Sequence, residues 1–106
     1  MAPTQMAKVI TRDEEARVKE NVGVIQEYLL GQFKEFELTD TSDYPLVHTF
    51  TATKSEEERY QVKVSWPQLS DESNTPKRTN QRLVMDDVAG RMRRKSQGEY
   101  FWWGKY

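Results

Sequence analysis

Tyr60-Gln61-Val62-Lys63-Val64-Ser65-Trp66 is the stretch whose reading decides the fold. Its apolar residues, Tyr60, Val62, Val64 and Trp66, alternate with polar Gln61, Lys63 and Ser65. A period of two puts alternate side chains on opposite faces of an extended chain, so the pattern predicts a strand with one dry side. Tyr, Val and Trp also pack well on a pleated, half-buried surface. Pro67 is expected to end the strand, because its nitrogen has no hydrogen to give the ladder. The other elements are then read as partners for that dry side.

Working back from Tyr60, residues 54–59 form a charged link, and 46–53 alternate again. Leu46, His48, Phe50 and Ala52 share one face of this second strand, opposite Val47, Thr49, Thr51 and Thr53. The run Asp40-Thr41-Ser42-Asp43-Tyr44-Pro45 is turn chemistry, since short polar side chains bond their own backbone and proline fixes φ. Residues 32–39 make the first strand, with Phe36 and Leu38 inward and Phe33 at its junction with a preceding helix. Short links between three consecutive strands favour an antiparallel meander.

That helix starts at Thr11, an N-cap with Glu14 three residues on to complete a capping box. Val18, Val22, Ile25 and Leu29 fall on one stripe. Asp13–Arg17 and Glu15–Lys19 are spaced as i,i+4 pairs. Gly23 is expected to mark a close crossing over the sheet, and Gly31 to stop the helix in a left-handed conformation. Residues 1–10 show no periodicity and read as a flexible arm, leaving 11–106 as a single α+β domain.

Beyond Pro67, residues 68–74 read as a polar loop. Thr75 as N-cap and Pro76 at the first helical position announce a second helix running to about Lys95. Gln81, Val84, Met85, Val88 and Met92 fall on its inner arc. The final segment carries five of the twelve aromatic residues and has room for a fourth strand. The expected fold is α+β: two helices packed on one face of a three- to four-stranded antiparallel sheet, in the order α-β-β-β-α with an optional C-terminal β. Double-stranded RNA-binding domains share the helix–strand–strand–strand–helix order. The alanine-rich second helix and glycine-rich inter-strand loops expected of them are missing, and order alone confers no function.

The formal charge of −1 hides an asymmetry. Residues 1–73 hold eight basic and fourteen acidic side chains, whereas 74–106 hold eight and three. Such a split hints at a charged partner. There is no cysteine, which excludes disulfides, thiolate metal sites and thiol nucleophiles. With no secretory or membrane-length apolar run, the expected location is cytoplasmic, without a membrane role.

Two groups of residues are candidates for function. Lys77, Arg78, Arg82, Arg91, Arg93, Arg94 and Lys95 would lie on or beside the second helix, with Arg78, Arg82 and Arg93 within a quarter-turn at 100° per residue. Cations so placed suit phosphates, although Arg93 and Arg94 also complement a helix C-terminus. Tyr100, Phe101, Trp102, Trp103 and Tyr106 would form either a buried strand or a partner-binding surface. His48 lacks a second histidine for a metal pair, and no phosphate-cradling glycine loop occurs among the five isolated glycines. The sequence thus points to a small non-catalytic binding or adaptor domain with a protein partner, or a second copy of itself. The alternative is RNA or DNA binding through the second helix and the tail. A small enzyme using His48 and a loop carboxylate ranks third, and no metal, cofactor or small-molecule ligand is expected.

Overall fold

The computed structural model describes residues 11–43 and 46–104. Its elements follow the order α1 (Arg12–Gln32), β1 (Glu37–Asp43), β2 (Val47–Thr53), β3 (Arg59–Ser65), α2 (Trp66–Ser70), α3 (Pro76–Met85), α4 (Val88–Arg93) and β4 (Phe101–Trp103). The expected N-terminal arm and Tyr106 lie outside the described residues. The protein is α+β, with one four-stranded sheet in the order β1-β2-β3-β4. β1 with β2 and β2 with β3 pair antiparallel, as their short links demand. β4 pairs parallel to β3, so the sheet is mixed rather than antiparallel throughout. The three helices between β3 and β4 are the long crossover that a parallel pair requires.

α1 begins as its capping residues predict. The Thr11 hydroxyl accepts from the Glu14 amide at 3.0 Å, and the Glu14 carboxylate accepts from the Trp66 indole at 3.2 Å. Val18, Ile25 and Leu29 are buried, and Val22 packs partly against them. Two glycine expectations fail. Gly31 stays helical, and the cap falls on Phe33, whose amide donates to the Leu29 carbonyl at 2.8 Å. A Cβ at Gly23 would meet nothing within 4 Å, so no close crossing explains that residue. Arg17 reaches the Ser70 carbonyl at 2.6 Å and so joins α1 to α2.

Three further boundaries move, each for a physical reason. β1 starts at Glu37 and runs through the expected turn to Asp43, in register from Glu37 opposite Thr53 to Asp43 opposite Val47. Asp40 can sit in a strand because His48 contacts one of its oxygens at 2.7 Å and Gln26 donates to the other at 2.9 Å. Leu46, placed inward on the sequence pattern, lies outside β2 and is exposed. Pro67 ends β3 by opening a helix: Ser65 caps α2 and Trp66 is its first residue.

The expected long second helix is broken. α3 stops at Met85, Asp87 adopts a left-handed conformation (φ 49°), and its carboxylate caps α4 by accepting from Gly90. Asp is among the few residues that tolerate that conformation. The break resets the helical phase. Thr79 and Leu83 are the buried residues of α3, while Gln81, Val84 and Met85, expected inside, are exposed. Val88, Ala89 and Met92 return to the core on α4.

The core is one cluster, to which β2, β3 and β4 each contribute alternate residues from the same face of the sheet. Phe50, Ala52, Val62, Val64 and Trp103 are buried with Ile25, Leu29, Leu69, Leu83 and Met92 from the helices. Buried beside it is a polar residue that the apolar stripe of α1 does not announce. Asn21 is 0% exposed, and its amide nitrogen donates to the carbonyls of Leu69 (2.9 Å) and Asn74 (2.7 Å). Its carbonyl oxygen accepts from the buried Thr79 hydroxyl at 2.9 Å. One carboxamide therefore holds α1, α2, the α2–α3 link and α3 together.

Removing that group leaves the buried Leu69 carbonyl and Thr79 hydroxyl, and the part-buried Asn74 carbonyl, without this partner. Asn21→Ala is expected to cost about 2–4 kcal/mol, and Thr79→Val about 1 kcal/mol, read as shifts in a urea unfolding midpoint. Equal losses for the two variants would contradict the central place given to the carboxamide.

Candidate functional site

The basic residues fall into three environments rather than one cluster. Extrapolating one continuous helix brought Arg78, Arg82 and Arg93 together, and the break at Asp86–Asp87 invalidates it. Arg78 and Arg82 line a cleft of about 350 Å³ whose other walls include Asp71, Asn74, Asp86 and Trp103. Asp86 lies 3.7 Å from Arg82 and accepts from the Trp103 indole at 2.9 Å. Two cations face two carboxylates here, so this cleft carries no net charge. Lys77 is exposed on the first turn of α3.

Arg93 turns the other way. Its guanidinium donates to the Gln32 carbonyl at 2.6 Å and stacks 4.3 Å from the Phe33 ring centre. It fastens α4 to the C-terminus of α1, where an extra cation also complements the helix dipole.

The third environment is the basic one. Arg91, Arg94, Lys95 and Phe101 line an open cleft of about 430 Å³ between the end of α4 and β4. Arg91 is oriented by donating through Nε to the Asp86 carbonyl at 2.9 Å, and its guanidinium lies 5.6 Å from the Phe101 ring centre. Arg94 pairs with Asp87 at 3.8 Å, but both side chains are about two-thirds exposed. Such a pair holds little free energy and yields readily to another anion. Across β4, the Lys63 ammonium sits 5.0 Å from the Tyr100 ring centre and 3.5 Å from the Thr49 hydroxyl. The Arg59 amide donates to the Gln97 side chain at 3.2 Å, which ties the loop after α4 to the start of β3.

The aromatic tail divides between core and surface. Trp103, read from sequence as either buried strand or partner-binding surface, is 4% exposed and belongs to the core. Phe101 and Trp102 are half-buried, and Trp102 donates to the Gly104 carbonyl at 3.1 Å. Tyr100 is 43% exposed. Gly104 (φ 111°) packs so closely on Ser65 and Gln68 that a Cβ would collide with both. That contact seats the tail against α2.

His48 is buried between Asp40 and Phe50, its ring centre 4.8 Å from that of Phe50. The Gln26–Asp40–His48 chain clasps α1, β1 and β2. The carboxylate partner was expected in a loop and stands on β1 instead. Ser42 lies opposite His48 in the strand register, but the His48 ring bonds Asp40 rather than the Ser42 hydroxyl. Nor do the described residues gather three His, Cys, Asp or Glu side chains into a group that could hold a metal ion. No described helix is long and apolar enough to cross a membrane.

Arg91 and Lys95 belong to the basic run read from the sequence, but Lys63 was not singled out for a site. Lys63 is legible as a wet-face residue of β3, but its pairing with Tyr100 depends on the parallel β4. Comparison with family models, with curated proteins and with solved structures finds no match for this chain.

The division of the tail is testable by stability alone. Trp103→Ala is expected to cost about 3–5 kcal/mol, whereas Tyr100→Ala should stay within about 0.5 kcal/mol of the parent. Thermal unfolding followed by circular dichroism measures both.

Proposed function

We propose that this chain is a small non-catalytic binding domain whose working surface is the basic cleft between α4 and β4, and that its partner is a polyanion. The observation that carries the reading is the convergence of Arg91, Arg94 and Lys95 on Phe101. Cations gathered at an apolar wall gain from the lower local dielectric, and anions steered there need displace only an exposed ion pair. The excess of basic over acidic side chains in residues 74–106 supports it, since the field around the cleft then differs in sign from that around α1. In this reading α1 and the α3–α4 pair lie on the core side of the sheet, and 11–106 act as one domain. A cytoplasmic location fits such a partner.

A second reading, a protein partner or a second copy of the chain, draws on Val84 and Met85. These are 63% and 76% exposed side by side on α3. Neighbouring apolar side chains at that exposure are the ordinary raw material of an interface. Light scattering distinguishes the two: a dimer that reverts to monomer in Met85→Lys favours the second reading.

The test of the first is ionic. Binding of the parent to a labelled polyanion should fall steeply with salt. The Arg94→Glu, Lys95→Glu double variant should bind at least about tenfold more weakly at low salt, with its log–log salt slope reduced by about two. Fluorescence anisotropy over a salt series reads both. A parent slope near zero would sink the proposal.

A further inference from the structure

Resting on the reading above, we infer that the polyanion is a single-stranded nucleic acid, its phosphates on the cations at the end of α4 and its bases on the rings of β4 and of Tyr100 just before it. Charge alone does not distinguish polyphosphate, duplex and single strand; accessible rings do. A strand without a complement exposes the flat faces of its bases, and every base has one, so aromatic side chains capture it whatever its sequence. A duplex keeps those faces stacked inside and presents only phosphates and groove edges.

β4 supplies rings on both sides of a sheet edge. Successive strand residues point to opposite faces, so Phe101 and Trp103 lie to the core side while Trp102 faces away with Lys63, its partner in the register. Phe101 stands under Arg91 on the helical side, and Tyr100 stands under Lys63 on the other. Half-buried Phe101 and exposed Tyr100 each carry a cation over one face, so the ring offers its remaining open surface to a base while the cation meets the adjoining phosphate. Beyond Lys63, the Gln61 amide donates to the Thr51 hydroxyl at 3.1 Å. That pair and Thr49 give the open face a polar rim whose oxygens can pair with sugar and base edges. β4 is three residues long and has a single strand neighbour, so a flexible chain can pass around its edge where a stiff duplex cannot. α4 is six residues long and holds its cations at its end and in the turn beyond. It is therefore no groove-reading helix.

The experiment uses the full chain with three labelled probes at low salt. They are an oligonucleotide about a dozen nucleotides long, in the range one small domain covers, the duplex of the same sequence, and inorganic polyphosphate. The single strand is expected to bind about tenfold or more tightly than the other two, and to quench tryptophan fluorescence where polyphosphate does not. Tyr100→Ala should weaken single-strand binding about tenfold and polyphosphate binding much less, with Tyr100→Phe restoring it. Equal affinity for single strand and polyphosphate, with Tyr100→Ala silent, overturns this inference and leaves the polyanion reading standing. A preference for the duplex also overturns it. No binding of any probe removes both.

Discussion

A single buried carboxamide sets the geometry on which the rest of the molecule depends. Asn21 has no route to water, so its donors and acceptor must be met inside the protein, and the groups that meet them come from three separate places. Apolar packing is tolerant of small slides, because dispersion and area burial vary smoothly with position. A hydrogen bond weakens steeply with angle and distance. Asn21 therefore fixes how far α3 lies along α1, and the apolar contacts of Ile25, Leu29 and Leu83 fill in around that register. Farther along, Tyr28 accepts from the Ala89 amide at 3.1 Å and Arg93 reaches Gln32, so the same alignment is held at three points.

Local signals were enough for the parts of the fold that local forces decide. The alternation at Tyr60–Val64, the Thr11 cap and the Thr75-Pro76 start are each written in a few adjacent residues, and each appears. Where a distant partner decides, the sequence misleads. Asp40 reads as a turn former because its carboxylate ordinarily bonds nearby backbone. His48 and Gln26 occupy that carboxylate instead, and the turn chemistry is overridden. Met85 reads as core because a continuous helix would turn it inward. Nothing local to Asp86-Asp87 reports that Asp87 will go left-handed. α2 is a different case, since its signal was present: a serine before an apolar residue and a proline is a fair helix start, masked here by reading Pro67 only as a strand stop.

The candidate site was legible in composition and illegible in arrangement. That the last third of the chain is basic and aromatic can be counted. Which rings are surface follows from the direction of β4, and that direction is set by three helices whose number was not foreseen. Parallel pairing places Trp103 opposite Val64 and so deep in the core, leaving Tyr100 beyond the strand end and open to water. Had β4 run antiparallel, a different ring would have met Val64, and the division of the tail would have changed with it.

Arg93 and Arg94 show how finely that arrangement is set. They are neighbours in sequence, yet one is spent on Gln32 and Phe33 and the other faces the cleft. The spacing of 91, 94 and 95 puts those three on one side of a helical path, and 93 falls away from it. Which side points toward β4 depends on the phase of α4, which the left-handed residue at 87 resets. Val88, Ala89 and Met92 can re-enter the core only at that phase, and burying them obliges Arg91, Arg94 and Lys95 to turn toward Phe101. The basic cleft is thus the outer consequence of an inner packing requirement. Of its three cations the fold holds Arg91, through the Nε donation to the Asp86 carbonyl, while Arg94 and Lys95 project into water from the same side.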